Sequence, residues 1–103
     1  MDLVRDFRRG AVAIHVLHHA AEEPVHGAWM SDELARHGYR ISPGTLYPLL
    51  SRMEAAGLIA GTGEVVDGHA RRSYRATAAG RKALADLRSV LRELADEVGA
   101  RVR

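Results

Sequence analysis

Three groups of side chains in this chain have types and spacings that could do chemistry. The first lies in the stretch Ser42 to Ile59, SPGTLYPLLSRMEAAGLI, where Gly44, Thr45, Tyr47, Pro48, Ser51 and Arg52 share one side of a helical pattern. They are small, hydroxyl-bearing or cationic, with no carboxylate until Glu54. A helix that presents hydroxyls and a guanidinium from its first turns suits the DNA major groove, where such groups meet base edges and phosphates. The second group is His15, His18 and His19, at i, i+3 and i+4, which puts three imidazoles on one helical flank. A metal or anion site is geometrically conceivable there. The same spacing also fits polar residues near a helix end, where histidine favours the negative pole of the dipole. The third group is His69, Arg71, Arg72 and Arg75, cations on an extended segment that suits phosphate contact.

Other chemistry finds no residues to carry it. The chain has no cysteine, which excludes disulfides and thiolate chemistry. No nucleophile–base arrangement, phosphate-cradling glycine loop or paired carboxylates stand in a plausible site, so an enzyme is not expected. No cofactor is implied and no metal ligand is assigned.

Positioning these groups requires particular elements. Ser42 can cap a helix and Pro43 fits its first position, where a missing N–H costs nothing. Leu46, Leu49, Leu50 and Met53 then recur as one buried stripe, and Gly57 ends the helix. Upstream, residues Val4 to about Ala21 predict a helix ended by Glu22-Glu23-Pro24. Val4, Phe7, Ala11, Ile14 and Leu17 form one apolar stripe on it, and Val12, Val16 and Ala20 a second, which asks for two partners: its own domain and a second subunit. A shorter helix, about Ala28 to Arg36, follows, with Trp29, Met30 and Leu34 on its apolar face. Trp29 reads as a core or interface residue, with the lining of an aromatic effector cavity as the alternative. Two helices joined through Gly38-Tyr39-Arg40-Ile41 make a helix-turn-helix.

Residues 58–66 and 70–76 predict two strands joined through Asp67-Gly68-His69, a strong hairpin signal. Beside the preceding helix this is a basic wing. Thr77 caps a last helix, about Ala78 to Val98, in which Leu84, Leu87, Leu91, Leu94 and Val98 alternate by three and four residues. Two heptads are short for a free coiled coil, so this seam is expected to meet the first helix of a partner subunit. Packing on its own first helix is the alternative. The fold class is therefore mainly α with a two-stranded β-wing: a winged helix-turn-helix over residues 1–77 and a C-terminal dimerisation helix over residues 78–103.

Length and charge agree with this reading. At 103 residues and 47% hydrophobic content the chain is a single globular domain. The net charge is only +2, but its distribution is uneven. Residues 1–35 hold three Arg against six acids, and residues 36–82 hold eight Lys or Arg against three. Positive charge thus gathers around the proposed recognition helix and wing. No apolar run reaches the ~18 residues of a membrane span, and the opening MDLVRDFRRG is too charged for a secretory signal. A cytoplasmic protein without a membrane partner is expected.

The residues also carry a resemblance. Gly10, His26-Gly27, the run from Ser42 to Leu50, Arg52, Glu54, Gly57-Leu58-Ile59, Arg71-Arg72, Tyr74, Thr77 and Gly80 resemble the PadR family of transcriptional regulators, in its short form with one C-terminal helix. The resemblance runs from about residue 8 to 82. The family usually has Tyr after His-Gly, where this chain has Ala28-Trp29. It implies a homodimeric repressor that binds a palindromic operator in double-stranded DNA near its own promoter and is released by a small, often aromatic effector. Carried onto this chain, Ser42, Gly44, Thr45, Tyr47, Pro48 and Arg52 would contact DNA from the recognition helix, and His69, Arg71 and Arg72 from the wing. Phe7, Ala11, Ile14, Leu84, Leu87, Leu91, Leu94 and Val98 would build the dimer interface. Two readings stand against it: a winged-helix module that docks proteins, and a metal-responsive regulator built on His15, His18 and His19.

Overall fold

The computed structural model describes residues 1–99, so the last four positions of the segment 78–103 lie outside the described residues. The order is α1 (Leu3–Glu22), β1 (Val25–His26), α2 (Gly27–Arg36), α3 (Pro43–Ala55), β2 (Ile59–Val66), β3 (His69–Ala76) and α4 (Ala78–Val98). Helix boundaries follow local chemistry. Asp2 caps α1 by accepting from the Arg5 N–H at 3.0 Å. Both α2 and α3 end in the same way, with a glycine in the left-handed region, Gly38 at φ 86° and Gly57 at φ 77°. In each case the next N–H reaches back five residues, Tyr39 to the Leu34 carbonyl at 2.8 Å and Leu58 to that of Met53 at 3.0 Å.

The sheet differs from the expected two strands. It has three, in the order β1-β3-β2, all antiparallel. Val25 pairs with Tyr74 and His26 with Ser73, so the segment before α2 is stitched to the wing. A two-residue strand is too short to show alternation, which is why it is silent in the sequence. Asp67 (φ 52°) and Gly68 (φ 77°) alone make the β2–β3 turn, with Val66 facing His69. His69 is therefore the first residue of β3 rather than part of the turn.

The core is continuous and wholly apolar. Val16, Met30, Leu34, Leu46, Leu50 and Ile59 are its most deeply buried side chains, joined by Val12, Leu17, Ala20, Met53, Tyr74 and Leu84. Full burial of each large aliphatic is worth about 1.5–3 kcal/mol. On α1 the stripe of Val12, Val16 and Ala20 takes Leu17 as well, while Val4 and Phe7 stay exposed and Ala11 and Ile14 half-buried. The two apolar sides of α1 are thus real, and this chain covers one of them. On α4, Leu84 is buried against its own chain, Leu87 and Leu91 are half-buried, and Leu94 and Val98 are exposed. No described helix is long and apolar enough to cross a membrane.

The start of α4 is fastened unusually tightly. The Thr77 hydroxyl accepts from the Gly80 N–H at 3.0 Å and donates to the Gly57 carbonyl at 2.6 Å. A Cβ on Gly80 would stand 2.0 Å from the Leu58 carbonyl oxygen. This close approach explains a glycine in the first turn of a long helix. It sets where α4 leaves the wing and hence where its apolar seam points.

Candidate nucleic-acid interface

Helix α3 buries Leu46, Leu50 and Met53 and leaves Ser42, Gly44, Thr45, Tyr47, Pro48, Ser51 and Arg52 exposed. Ser42 holds the N-cap position, but its hydroxyl does not accept from the helix N–H groups. It donates instead to the Thr45 hydroxyl at 3.3 Å. The Ser42 carbonyl takes the N–H groups of Thr45 and Leu46, both at 2.9 Å. Among the described residues the Gly44 N–H is left without an acceptor, free at the positive end of the helix. Pro48 sits inside the helix and has no N–H to give the Gly44 carbonyl four residues before it. The first turn therefore offers a free N–H on an exposed residue whose carbonyl lacks its usual i+4 donor.

Tyr47 does not stand clear of the protein. Its ring lies against the backbone of Gly27 at the start of α2, where a Cβ would come within 2.5 Å of Tyr47 Cε1. Tyr47 as a whole is 46% exposed, so one side of the residue rests on Gly27 and the other is open to solvent. Gly27 is buried for the same reason.

The wing arginines have carboxylate partners that the sequence did not disclose. Arg72 Nη2 donates to Glu54 Oε2 at 2.9 Å, and the Gly61 N–H donates to the same oxygen at 3.2 Å. Arg71 faces Glu64 across the strands, Nε to Oε1 at 3.5 Å, and His26 Nδ1 approaches that oxygen at 3.3 Å. Arg71 and Arg72 each spend part of their charge on the protein. Among the described residues Arg5, Arg9, Arg40, Arg52 and Arg75 face no carboxylate.

Two of these free cations come from a segment that looked acidic in sequence. Arg9 lines one hollow with Val12, Ile41, Thr45, Leu49 and Arg52, beside the first turns of α3. Arg5, Arg8, Arg9 and Arg40 surround an adjoining groove that also reaches Thr45. Arg8 is fixed there, donating to the Gly38 carbonyl and lying 4.7 Å over the Tyr39 ring. The i, i+3, i+4 spacing of Arg5, Arg8 and Arg9 was the available signal, hidden because Asp2 and Asp6 cancel it in a count.

The histidines do not converge as a trio. His18 and His19 face Glu22, while His15 stacks among His19, His37 and Tyr39. Burial, reinforced by His37, His19 and His18, holds the His15 imidazole below its ordinary value of 6.5, with Glu33 opposing. Trp29 is 44% exposed and edge-on to His19, with ring centroids 5.3 Å apart.

Comparison with known proteins gives this geometry a family. The model of the "Transcriptional regulator PadR-like family" matches residues 16–86. The chain is 62% identical over 95 residues to transcriptional regulator Rv3488 of Mycobacterium tuberculosis (strain ATCC 25618 / H37Rv), covering 92% of this chain and 89% of that protein. The crystal structure of a PadR family transcriptional regulator from Eggerthella lenta DSM 2243 superposes with a TM-score of 0.84 at 35% identity, over 95% of this chain and 87% of the other. A PadR-like transcriptional regulator from Bacillus cereus strain ATCC 14579 gives 0.79 at 30% identity, over 89% and 91%. The fold is also that of Bacillus subtilis PadR in complex with operator DNA, at TM-score 0.68 and 15% identity over 75% of this chain and 47% of that one. A winged-helix architecture, an exposed hydroxyl-rich α3 and a family match across most of the chain agree: this protein belongs to the PadR-like family of transcriptional regulators.

Proposed function

We propose that the protein is a homodimeric, sequence-specific repressor that reads a palindromic operator with α3 and is released by a small effector. The observation that carries DNA reading is the exposed face of α3. It combines the Ser42 and Thr45 hydroxyls, the free Gly44 N–H, the Tyr47 ring and the uncompensated Arg52, with Arg9 beside them. Side chains from the first turns would read base edges, while Gly44 and the surrounding arginines would neutralise phosphates. On the wing, His69 and Arg75 are the outward contacts, Arg71 a shared one, and Arg72 chiefly a strut to α3.

Dimerisation is supported by the apolar surface that one chain leaves open. Phe7 is 58% and Val98 65% exposed, and Leu94 joins them. Phe7, Ala11 and Ile14 line a cleft with Leu84, Leu91 and Arg88 between α1 and α4. A second copy would cover this face with its own α1 and α4, a two-fold arrangement that presents two α3 helices to one palindrome. The same cleft is where an apolar effector would act, by binding one relative orientation of the two halves better than the other.

A mobility shift on DNA from upstream of the gene tests this, at two salt concentrations and with excess unrelated DNA. A discrete, competitor-resistant, salt-sensitive complex is expected. Complexes equally lost to any competitor, on upstream DNA and on fragments from a genome-wide selection, would leave the winged helix as a protein-docking module.

A further inference from the structure

We propose that His19, Glu33 and His37 form a binding site for a divalent transition-metal ion of the zinc type, which would staple the end of α1 to the end of α2. His19 lies in the last turn of α1, and Glu33 and His37 stand one helical turn apart at the end of α2. Their ligand atoms all lie within 4.8 Å of one another. His19 Nε2 is 3.4 Å and His37 Nε2 3.3 Å from Glu33 Oε2.

The His37 contact is a long hydrogen bond and the His19 contact is none; both exceed the roughly 2.7–2.9 Å to which charge-assisted bonds close. They match the edge of a tetrahedron of ligands around zinc, roughly 3.3 Å for bonds of about 2.0–2.1 Å. His19 Nε2 is buried and has no hydrogen-bond partner, because its approach to Glu33 is misaligned for one. An orphaned buried nitrogen costs about 1–3 kcal/mol and calls for a partner. A metal ion between the three groups supplies it.

The surroundings are those of a supported site. Glu33 is only 12% exposed, and its other oxygen is held by Arg36 Nη1 at 3.2 Å, which leaves Oε2 to the imidazoles. His19 turns its remaining nitrogen, Nδ1, towards Glu22 Oε1 at 3.5 Å, within reach of the carboxylate support that metal-binding histidines commonly have once the ring settles on an ion. The fourth position is left to water or to His15, whose ring is 4.9 Å from that of His37. Imidazole with one carboxylate favours zinc, cobalt and nickel over magnesium or calcium. His18, His19 and Glu22 form a more exposed second grouping, which cannot use His19 Nδ1 while Glu22 serves as its support.

The site is separate from the α3 face and holds whether or not that face binds DNA. Its test is titration of chelator-treated, tag-free protein with Co2+ followed by displacement with Zn2+. One equivalent per chain should raise the intense visible bands of tetrahedral Co2+. Glu33→Gln and His37→Asn should each weaken Zn2+ binding roughly tenfold or more, while His69→Gln leaves it unchanged. His37 is an exposed helix cap, so its variant should fold as the wild type does, checked by circular dichroism without metal. Absence of the bands, or binding that survives both variants but is lost in His18→Gln, would overturn the assignment.

Discussion

The Arg72 guanidinium and the Glu54 carboxylate meet at 2.9 Å, joining the second long strand of the wing to the last turn of α3. The same carboxylate oxygen takes the Gly61 N–H from the first strand. One acidic residue thus sets the angle between the helix and the wing. An arginine so engaged has little charge left for a phosphate, unlike Arg52 and Arg40, which face no carboxylate among the described residues.

The two kinds of arginine should separate by salt dependence. Arg52→Ala and Arg40→Ala should leave thermal stability unchanged and flatten the slope of log K against log salt by about 0.9 for each phosphate that is no longer neutralised. Arg72→Ala should weaken binding with less change in slope. Its stability loss should be non-additive with that of Glu54→Gln, by roughly 0.2–1 kcal/mol for such a half-exposed pair. Salt titrations of the mobility shift and a double-mutant cycle in urea check both. An Arg72 variant whose slope flattens by as much as that of Arg52→Ala, with no coupling to Glu54, would show that Arg72 holds a phosphate after all.

Gly27→Ala should damage DNA binding more than folding. The added methyl would fall 2.5 Å from the Tyr47 ring edge, and that ring, half-exposed, has room to swing outward. The fold should survive with a loss of about 1–2 kcal/mol, while the displaced ring intrudes on the α3 face proposed to meet DNA. Comparing denaturation midpoints with operator affinity measures the two effects separately. Unchanged affinity would mean that Tyr47 has no part in the interface.

How far these features were legible depends on their range. The helices α1, α3 and α4 and the hairpin follow from periodicity, caps and the Asp67-Gly68 turn, all local signals. The strand Val25–His26 has none, because it exists only through pairing with Tyr74 and Ser73. The site residues divide in the same way. Exposure of Ser42, Thr45 and Arg52 follows from the Leu46–Leu50–Met53 stripe behind them. The consumption of Arg72 by Glu54, 18 residues away, and the meeting of His19 with Glu33 and His37 require tertiary structure. Ser42 shows a further limit, since residue type placed the cap while a neighbouring Thr45 redirected its hydroxyl.

Gly80→Ala should be the most destabilising single methyl that can be added among these glycines. Its Cβ would overlap the Leu58 carbonyl oxygen at 2.0 Å and press on Leu17 Cδ2 at 3.3 Å. Backbone on one side and core on the other leave no flexible group to yield. A loss of about 3 kcal/mol is expected in urea denaturation. Gly63, where a methyl meets nothing within 4 Å, is the control, and Gly63→Ala should be neutral or slightly stabilising. A near-neutral Gly80→Ala would mean that α4 can leave the wing along a different line.

Leu94→Asp and Leu84→Ala should fail in opposite ways, although both leucines lie on one seam. Leu84 is 4% exposed and packs in its own chain's core, so its truncation should cost about 2–5 kcal/mol of folding stability. Leu94 is 39% exposed, less open than Phe7 and Val98 but far more than Leu84. A carboxylate there still reaches water in the folded monomer and should cost it far less than the Leu84 truncation, but in a dimer it would be buried without a partner. If the proposed dimer forms, sedimentation equilibrium should find it for the wild type and folded monomer for Leu94→Asp at the same concentrations. Its operator affinity should fall steeply, because each monomer then binds one half-site without the other's help. Phe7→Glu should behave alike if α1 and α4 share the interface. A Leu94→Asp protein that remains dimeric would place the two-fold contact elsewhere and leave the outer seam of α4 for another partner.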